Sequence, residues 1–360
     1  MSATKKVRVL IVDDSALMRQ LLAAVLSVDE GIEVVGEAPD PFDAREKIKA
    51  LNPDVVTLDV EMPRMNGLDF LRKIMELRPT PVVMISSLTQ AGADTTLEAL
   101  EIGAVDFVAK PADNSAMLQL GGELIPKVKA AAQTRMGRRV ATPQQRQAVR
   151  KSFGAARGSV DKLIAIGAST GGVEALKAVL MLFPEDAPPI VIAQHMPERF
   201  TAAFARRLDG ECRMRVHEAA HEQPIERGHV YIAPGGHHLE VAKRGSGLIC
   251  ALNDGPLVSG HRPSVDALFN SVARLVAPNA VGAILTGMGR DGASGLLAMR
   301  KAGCHTLGQD EGTALIYGMP RVAWEIGAVE SQHGLFDITE AIMNACVGKH
   351  APALAGAGHS

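Results

Sequence analysis

Leu163-Ile-Ala-Ile-Gly-Ala-Ser-Thr-Gly-Gly172 is an apolar run that breaks into a glycine-rich turn, and the helical pattern Val173–Phe183 follows it. A run without polar alternation suits a strand buried on both faces, as parallel sheets require. The turn does not fit a dinucleotide loop, because no G-x-G-x-x-G register matches, and it lacks the Gly-Lys-Ser/Thr ending of a phosphate loop. It does fit a nucleophile turn: Gly167-x-Ser169-x-Gly171 sets a hydroxyl on a sharp strand-to-helix bend at the sheet rim. The plainer reading, that Ser169 or Thr170 caps the helix, stands beside it. Outward from this stretch the pattern repeats. Ile190–Ala193 ends in Gln194-His195, and Val281–Leu285 runs into Thr286-Gly-Met-Gly-Arg-Asp-Gly292. Val230–Ala233, Leu239–Ala242 and Leu248–Leu252 are further strand-like runs, and Ser264–Val276 is a helix candidate. The block is α/β with a mostly parallel sheet, and an antiparallel excursion is expected between 213 and 252, where no long helical pattern separates the strands.

A serine nucleophile needs a base, and the base needs an acid to orient it. His195 follows a hydrophobic strand on the same expected rim as Ser169, and Asp291 lies in a second glycine-rich turn after a third strand. A loop histidine without a role and a turn-forming Asp-Gly are the bland readings of these two. His261, in Ser259-Gly-His-Arg-Pro-Ser-Val-Asp266, competes as a base, but orienting or capping the following helix is the expectation adopted for it. The order Ser…His…Asp disfavours the α/β-hydrolase fold, whose order is Ser…Asp…His.

Residues 7–132 show a separate alternation. The runs Val7–Val12, Glu33–Val35, Val55–Leu58, Val82–Ile85 and Phe107–Ala109 are divided by helical patterns, the first with Leu17, Met18, Leu21, Leu22 and Val25 on one face. Five such strands imply a doubly wound parallel sheet whose function gathers at the carboxyl ends. Asp13 and Asp14 stand at the first of these ends, Asp59 at the third, Ser86 at the fourth and Lys110-Pro111 at the fifth. Converging carboxylates repel, and a hard cation such as Mg²⁺ relieves that cost and can hold a phosphoryl group. Lys110 can pair with Asp59 or a phosphate, and the Ser86 hydroxyl can bond a phosphate oxygen. For any one of these residues a cap or a solvated loop acid is the simpler reading; their joint placement makes coincidence a poor account.

At 360 residues the chain is long enough for two domains. Hydrophobic residues at 47% and charged residues at 22% exclude wholesale disorder, and no apolar run reaches the ~20 residues of a membrane span. With no secretory segment before Val7, and with four scattered cysteines that suggest neither disulfides nor zinc, a cytoplasmic protein is expected. Net charge is −2 overall, but residues 133–160 carry seven basic groups and no acid between two acidic blocks. That stretch is expected to be a linker; with 12 aromatics and no recognition signature, no nucleic-acid partner is expected. The expected domains are 1–132, the linker 133–160, a catalytic block 161–347 and a tail 348–360.

The first block resembles the receiver domain of two-component response regulators, and Leu58-Asp-Val-Glu-Met-Pro-Arg-Met-Asn-Gly67 is similar to the phosphorylation loop of that family. The resemblance implies that Asp59 is the phospho-acceptor. It implies that Asp13 and Asp14 organise Mg²⁺ with the Glu61 backbone carbonyl, that Ser86 is the switch hydroxyl, that Lys110 is the family lysine and that Phe107 is the rotating aromatic. Over residues 160–346 the turns Ile166–Gly172, Ala193–Pro197, Tyr231–Gly236, His261–Asp266 and Leu285–Gly292 resemble the chemotaxis protein-glutamate methylesterase family. By that resemblance Ser169 is the nucleophile, His195 the base and Asp291 its orienting acid. The Met288 backbone N–H is the implied oxyanion donor and Thr170 a contributor. The implied activity is hydrolysis of glutamate methyl esters, and deamidation of glutamines, on methyl-accepting chemoreceptors. A chemotaxis histidine kinase is the implied phosphodonor, and no cofactor is expected for the esterase step. Two alternatives remain: a hydrolase acting on another ester or amide, and a receiver with a non-enzymatic output domain.

Overall fold

The computed structural model describes residues 5–134, apart from 64, 88, 112 and 113, and residues 162–347. The expected linker, beyond its first two residues, and the expected tail lie outside the described residues. The chain divides into two compact units, which meet in sequence between residues 138 and 139.

In the first unit the chain runs β1 (Val7–Val12), α1 (Ala16–Leu26), β2 (Ile32–Ala38), α2 (Pro41–Leu51) and β3 (Val55–Asp59). It continues through α3 (Gly67–Leu77), β4 (Val82–Ser86), α4 (Gln90–Ile102), β5 (Asp106–Ala109) and α5 (Asn114–Ala131). The five strands pair in parallel in the order β2-β1-β3-β4-β5. Every residue of β3 and β4 is buried, which is why these runs show no polar alternation. Each large apolar side chain so buried contributes about 1.5–3 kcal/mol against the entropy of ordering the chain. Helix starts are fixed locally: the Ser15 hydroxyl accepts from the Met18 amide, Asp40 from Phe42 and Asp43, and Asn66 from Asp69. On α1 only Leu22 and Leu26 are buried, and Leu17 stands 77% exposed, so the apolar face expected there is narrower than its sequence implied. The chain leaves β1 to one side and β3 to the other, and this reversal opens the crevice that collects the strand-end acids.

The second unit runs β6 (Leu163–Ala168), α6 (Gly172–Leu180), β7 (Ile190–Gln194), α7 (Glu198–Glu211), β8 (Arg215–Glu218) and β9 (His229–Ile232). The hairpin β10 (His238–Arg244) and β11 (Gly247–Asn253) follows, then α8 (Val265–Leu275), β12 (Ala280–Ile284) and α9 (Ala293–Lys301). The chain closes with β13 (His305–Gln309), α10 (Met319–Glu325), β14 (Ser331–His333) and α11 (Ile338–Cys346). Seven strands form a parallel sheet in the order β14-β13-β12-β6-β7-β9-β8. The antiparallel part is confined to β10 and β11, a narrower excursion than expected, because β8 and β9 pair in parallel. Their connection needs no helix: it runs beside β11, with Glu222 and Ile225 donating to the Cys250 and Leu248 carbonyls and Cys250 donating back to Gln223. That lateral support replaces the usual crossover helix.

Candidate functional site

In the first unit, Asp13 and Asp59 sit side by side because β1 and β3 are sheet neighbours. Both are buried, at 0% and 1% exposure, whereas Asp14 is exposed. Lys110 follows β5, its amide donating to the Ser86 carbonyl at 2.7 Å. Its ammonium lies 2.8 Å from Asp59 Oδ2 and 3.4 Å from Asp13 Oδ2. One further donor, the Glu61 amide, reaches Asp59 Oδ1 at 3.2 Å. Burial, joined by the charge of Asp13, pushes the Asp59 carboxyl up to about 6 against the pull of Lys110. Burial raises Asp13 as well. One oxygen from each of Asp13, Asp14 and Asp59 falls within 4.8 Å of the others. The buried Oδ2 atoms of Asp13 and Asp59 have no aligned hydrogen-bond donor, despite the nearby ammonium. Carboxylate oxygens held together and short of donors fit a hard divalent cation.

Around this cluster, Ser86 is fully buried and its Oγ lies 2.6 Å from Thr96 Oγ1 of α4. Phe107 is turned inward at 3% exposure, under the Lys127 ammonium at 5.2 Å from its ring centre. Lys127 also donates to the Phe107 carbonyl at 2.6 Å. Neither Thr96 nor Lys127 was singled out from sequence. Both lie on helices, where a polar residue gives no sign of pointing at a distant strand end.

In the second unit, three strand ends converge. Ser169 follows β6, His195 follows β7 and Asp291 lies beyond β12; β6 pairs with both of the other strands. His195 Nδ1 is 3.1 Å from Ser169 Oγ, and His195 Nε2 is 2.8 Å from Asp291 Oδ2. With Asp291 ionised, Nε2–H donates to the carboxylate and Nδ1 is left as the acceptor of the serine proton. Gly171, not Ser169 or Thr170, occupies the N-cap position of α6. Thr170 is buried beside Ser169, its carbonyl accepting from the Thr286 hydroxyl at 3.0 Å. Gly287 abuts Ser169: a Cβ on it would come within 2.8 Å of the Ser169 Cβ and 2.3 Å of the Met319 sulfur, so only glycine fits.

Asp291 is held by more than His195. Its Oδ1 accepts from the Ser264 hydroxyl at 2.8 Å and the Asp266 amide at 3.1 Å, and its Oδ2 from the Val265 amide at 2.7 Å. Burial works to raise this carboxyl, but the hydrogen bond and charge of His195 with the Val265 and Asp266 amides outweigh it and hold it below the ordinary value. The adjoining Asp266 goes the other way: burial raises it despite the Gly295 amide at 2.7 Å. Gln194 braces the rim, its Nε2 donating at 3.0 Å to the carbonyls of Ser169 and of His195.

His261 departs from expectation. The helix after it is capped by Ser264, whose hydroxyl accepts from the Ala267 amide. The His261 ring instead lies face to face with His195, centroids 3.7 Å apart and planes 12° from parallel. A stacking partner 66 positions from His195 is not readable from sequence; the signal available is a histidine close before a helix that carries polar residues at its start.

Comparison with known proteins agrees with both units. Residues 164–342 match the CheB methylesterase family, and residues 9–120 match the response regulator receiver domain family. A protein-glutamate methylesterase/protein-glutamine glutaminase of Caulobacter vibrioides is 59% identical, over 94% of this chain and 98% of its own. One of the same description from Agrobacterium fabrum is 55% identical, over 93% and 95%. The crystal structure of the Thermotoga maritima CheB methylesterase catalytic domain superposes with a TM-score of 0.50 at 32% identity, covering 51% of this chain and 97% of that one. With a receiver domain, a methylesterase domain and close relatives matched along nearly their whole length, the chain belongs to the CheB family of protein-glutamate methylesterases/protein-glutamine glutaminases.

Proposed function

We infer that this chain is a phosphorylation-regulated serine hydrolase of chemotaxis adaptation, removing methyl groups from glutamate γ-methyl esters and deamidating glutamines on the cytoplasmic regions of chemoreceptors. The observation that carries the chemistry is the relay of Ser169 Oγ, His195 and Asp291, linked at 3.1 Å and 2.8 Å. Ser169 Oγ attacks the ester carbonyl while His195 Nδ1 takes its proton. The imidazolium formed is held by Asp291 and returns the proton to the departing methanol. Water then attacks the acyl-serine with His195 as base again, releasing the glutamate side chain. With a glutamine substrate the leaving group is ammonia. The Met288 amide supplies the oxyanion donor, and Thr170 supports the turn that carries the nucleophile.

Control runs through the receiver. A chemotaxis histidine kinase donates the phosphoryl group to Asp59. Asp13, Asp14, Asp59 and the Glu61 carbonyl would hold Mg²⁺, which when bound supplies positive charge against the incoming phosphoryl oxygens. Ser86 and Lys110 then bond the phosphate, and Phe107 repacks with them. Among the described residues no helix is long and apolar enough to cross a membrane, and the proposed place of action is the cytoplasm, at the receptors' soluble ends.

The test is methanol release from methylated receptor membranes. The wild-type chain should release it, faster with a small-molecule phosphodonor present, and Ser169→Ala should not. Methanol release at an undiminished rate by Ser169→Ala would end the serine-hydrolase reading.

A further inference from the structure

We propose that His261 is a positioning residue for the general base, acting through its ring face rather than through a proton. This rests on the reading of Ser169, His195 and Asp291 as the catalytic relay. The two hydrogen bonds of His195 leave from Nδ1 and Nε2, on opposite edges of the ring. Both bonds act within the ring plane, so they resist out-of-plane tilt less than in-plane shift. A second ring lying parallel at 3.7 Å, 12° from coplanar, closes one face and opposes that tilt. The stacked ring also offers π density to the imidazolium that forms during acyl transfer, an attraction the neutral ground state lacks.

The mounting of His261 suits this task. Val258 and His261 exchange both backbone hydrogen bonds, 3.1 Å and 2.9 Å, across a two-residue turn. Ser259 (φ 53°) and Gly260 (φ 83°) at its centre are both left-handed, as the tightest hairpin turns require. On the other side, the Arg262 guanidinium donates to the carbonyls of Asp254 and Gly255 at 2.9 Å each, and the Arg262 carbonyl accepts from the Gly236 amide at 3.2 Å. Two residues further on, Ser264 bonds Asp291 directly. One short segment, 258–266, thus carries the ring that covers the base and the groups that hold its acid.

The experiment compares His261→Ala and His261→Phe in the full-length chain, with methanol release from methylated receptor membranes as the rate and thermal melting as the check on folding. Loss of the stack in His261→Ala should lower kcat about tenfold, the scale of one aromatic pair, and leave KM within about twofold. His261→Phe keeps a ring but no titratable nitrogen, and it should restore kcat to within about threefold of wild type. The proposal is overturned if His261→Ala keeps its kcat, if the loss falls on KM, or if His261→Phe is as impaired as His261→Ala. Ser169→Ala, assayed alongside, separates the two readings: an active Ser169→Ala removes the relay itself, whereas an inactive Ser169→Ala with a fully active His261→Ala removes the stack alone.

Discussion

Asp59 and Asp291 are both 1% exposed, one ending β3 and the other in the turn beyond β12, yet burial has opposite outcomes for them. Asp59 has one amide and one off-axis ammonium, and its carboxyl rises to about 6. Asp291 has four donors, from His195, Ser264, Val265 and Asp266, and its carboxyl falls below the ordinary value. The difference matches the roles proposed for the two carboxylates: one that accepts a phosphoryl group is left with undersupplied oxygens, which a cation and a substrate can complete, and one that orients a base is saturated with donors. The start of α8 adds to this, because a helix N-terminus favours negative charge where Asp291 sits.

The largest effect expected from breaking this contrast is at the saturated end. Asp291→Ala, His195→Ala and Ser169→Ala should each lower turnover by about 10⁴-fold or more, and the triple variant should be little worse than the worst single one, because the three act as a unit. Steady-state methanol release measures this; losses that multiply would show that the three residues work separately.

An intermediate effect is expected at the undersupplied end. Asp59→Ala should abolish stimulation by a phosphodonor while leaving the basal rate. If phosphorylation shifts a restraint of ~2–3 kcal/mol, the stimulation lost is about 30–150-fold. Removing residues 1–150 should raise the basal rate toward the stimulated one. A truncated enzyme no faster than the unphosphorylated chain would mean that the receiver assists the active form and does not restrain it.

The smallest effect is one of stability. A native carboxyl near 6 against an ordinary 3.8 means that between those pH values the folded receiver holds a proton the unfolded chain has lost. The contribution of Asp59 to stability therefore declines as pH rises through this window and levels above it, by roughly 3 kcal/mol. Asp59→Asn should flatten that decline and raise the melting temperature of the receiver transition at neutral pH by roughly 5 °C or more in the absence of divalent cation. Adding Mg²⁺ should stabilise the wild type more than the variant. A wild-type melting temperature that climbs between pH 4 and 6 would refute the assignment of the raised carboxyl.

What the sequence disclosed, and what it hid, follows from the range of the forces involved. Asp59, Ser169, His195 and Asp291 were legible because each is tied to a local event, a buried apolar run ending in a turn. The five-stranded sheet was legible for the same reason. The strands His305–Gln309 and Ser331–His333 were not, since they are short and polar and lie toward one edge of the sheet. The parallel pairing of β8 and β9 was hidden because their connection leans on β11 instead of a helix. Ser264, Thr96 and His261 act through partners 27, 10 and 66 positions away, and no local period encodes such meetings.

The ring orientation of His195 has its own consequence. Nδ1 is bonded directly to the carbon that joins the ring to its stem, whereas Nε2 lies a further atom out. Presenting Nδ1 to Ser169 puts the proposed base on a short lever, anchored by the His195 amide to the Ala168 carbonyl at 3.2 Å. A short lever transmits main-chain displacement to the reacting atoms with little slack. The distance from His195 Nδ1 to Ser169 Oγ thus becomes a reading of the spacing between β6 and β7, and under the proposed mechanism a force that parts those two strand ends costs catalysis before it costs the fold.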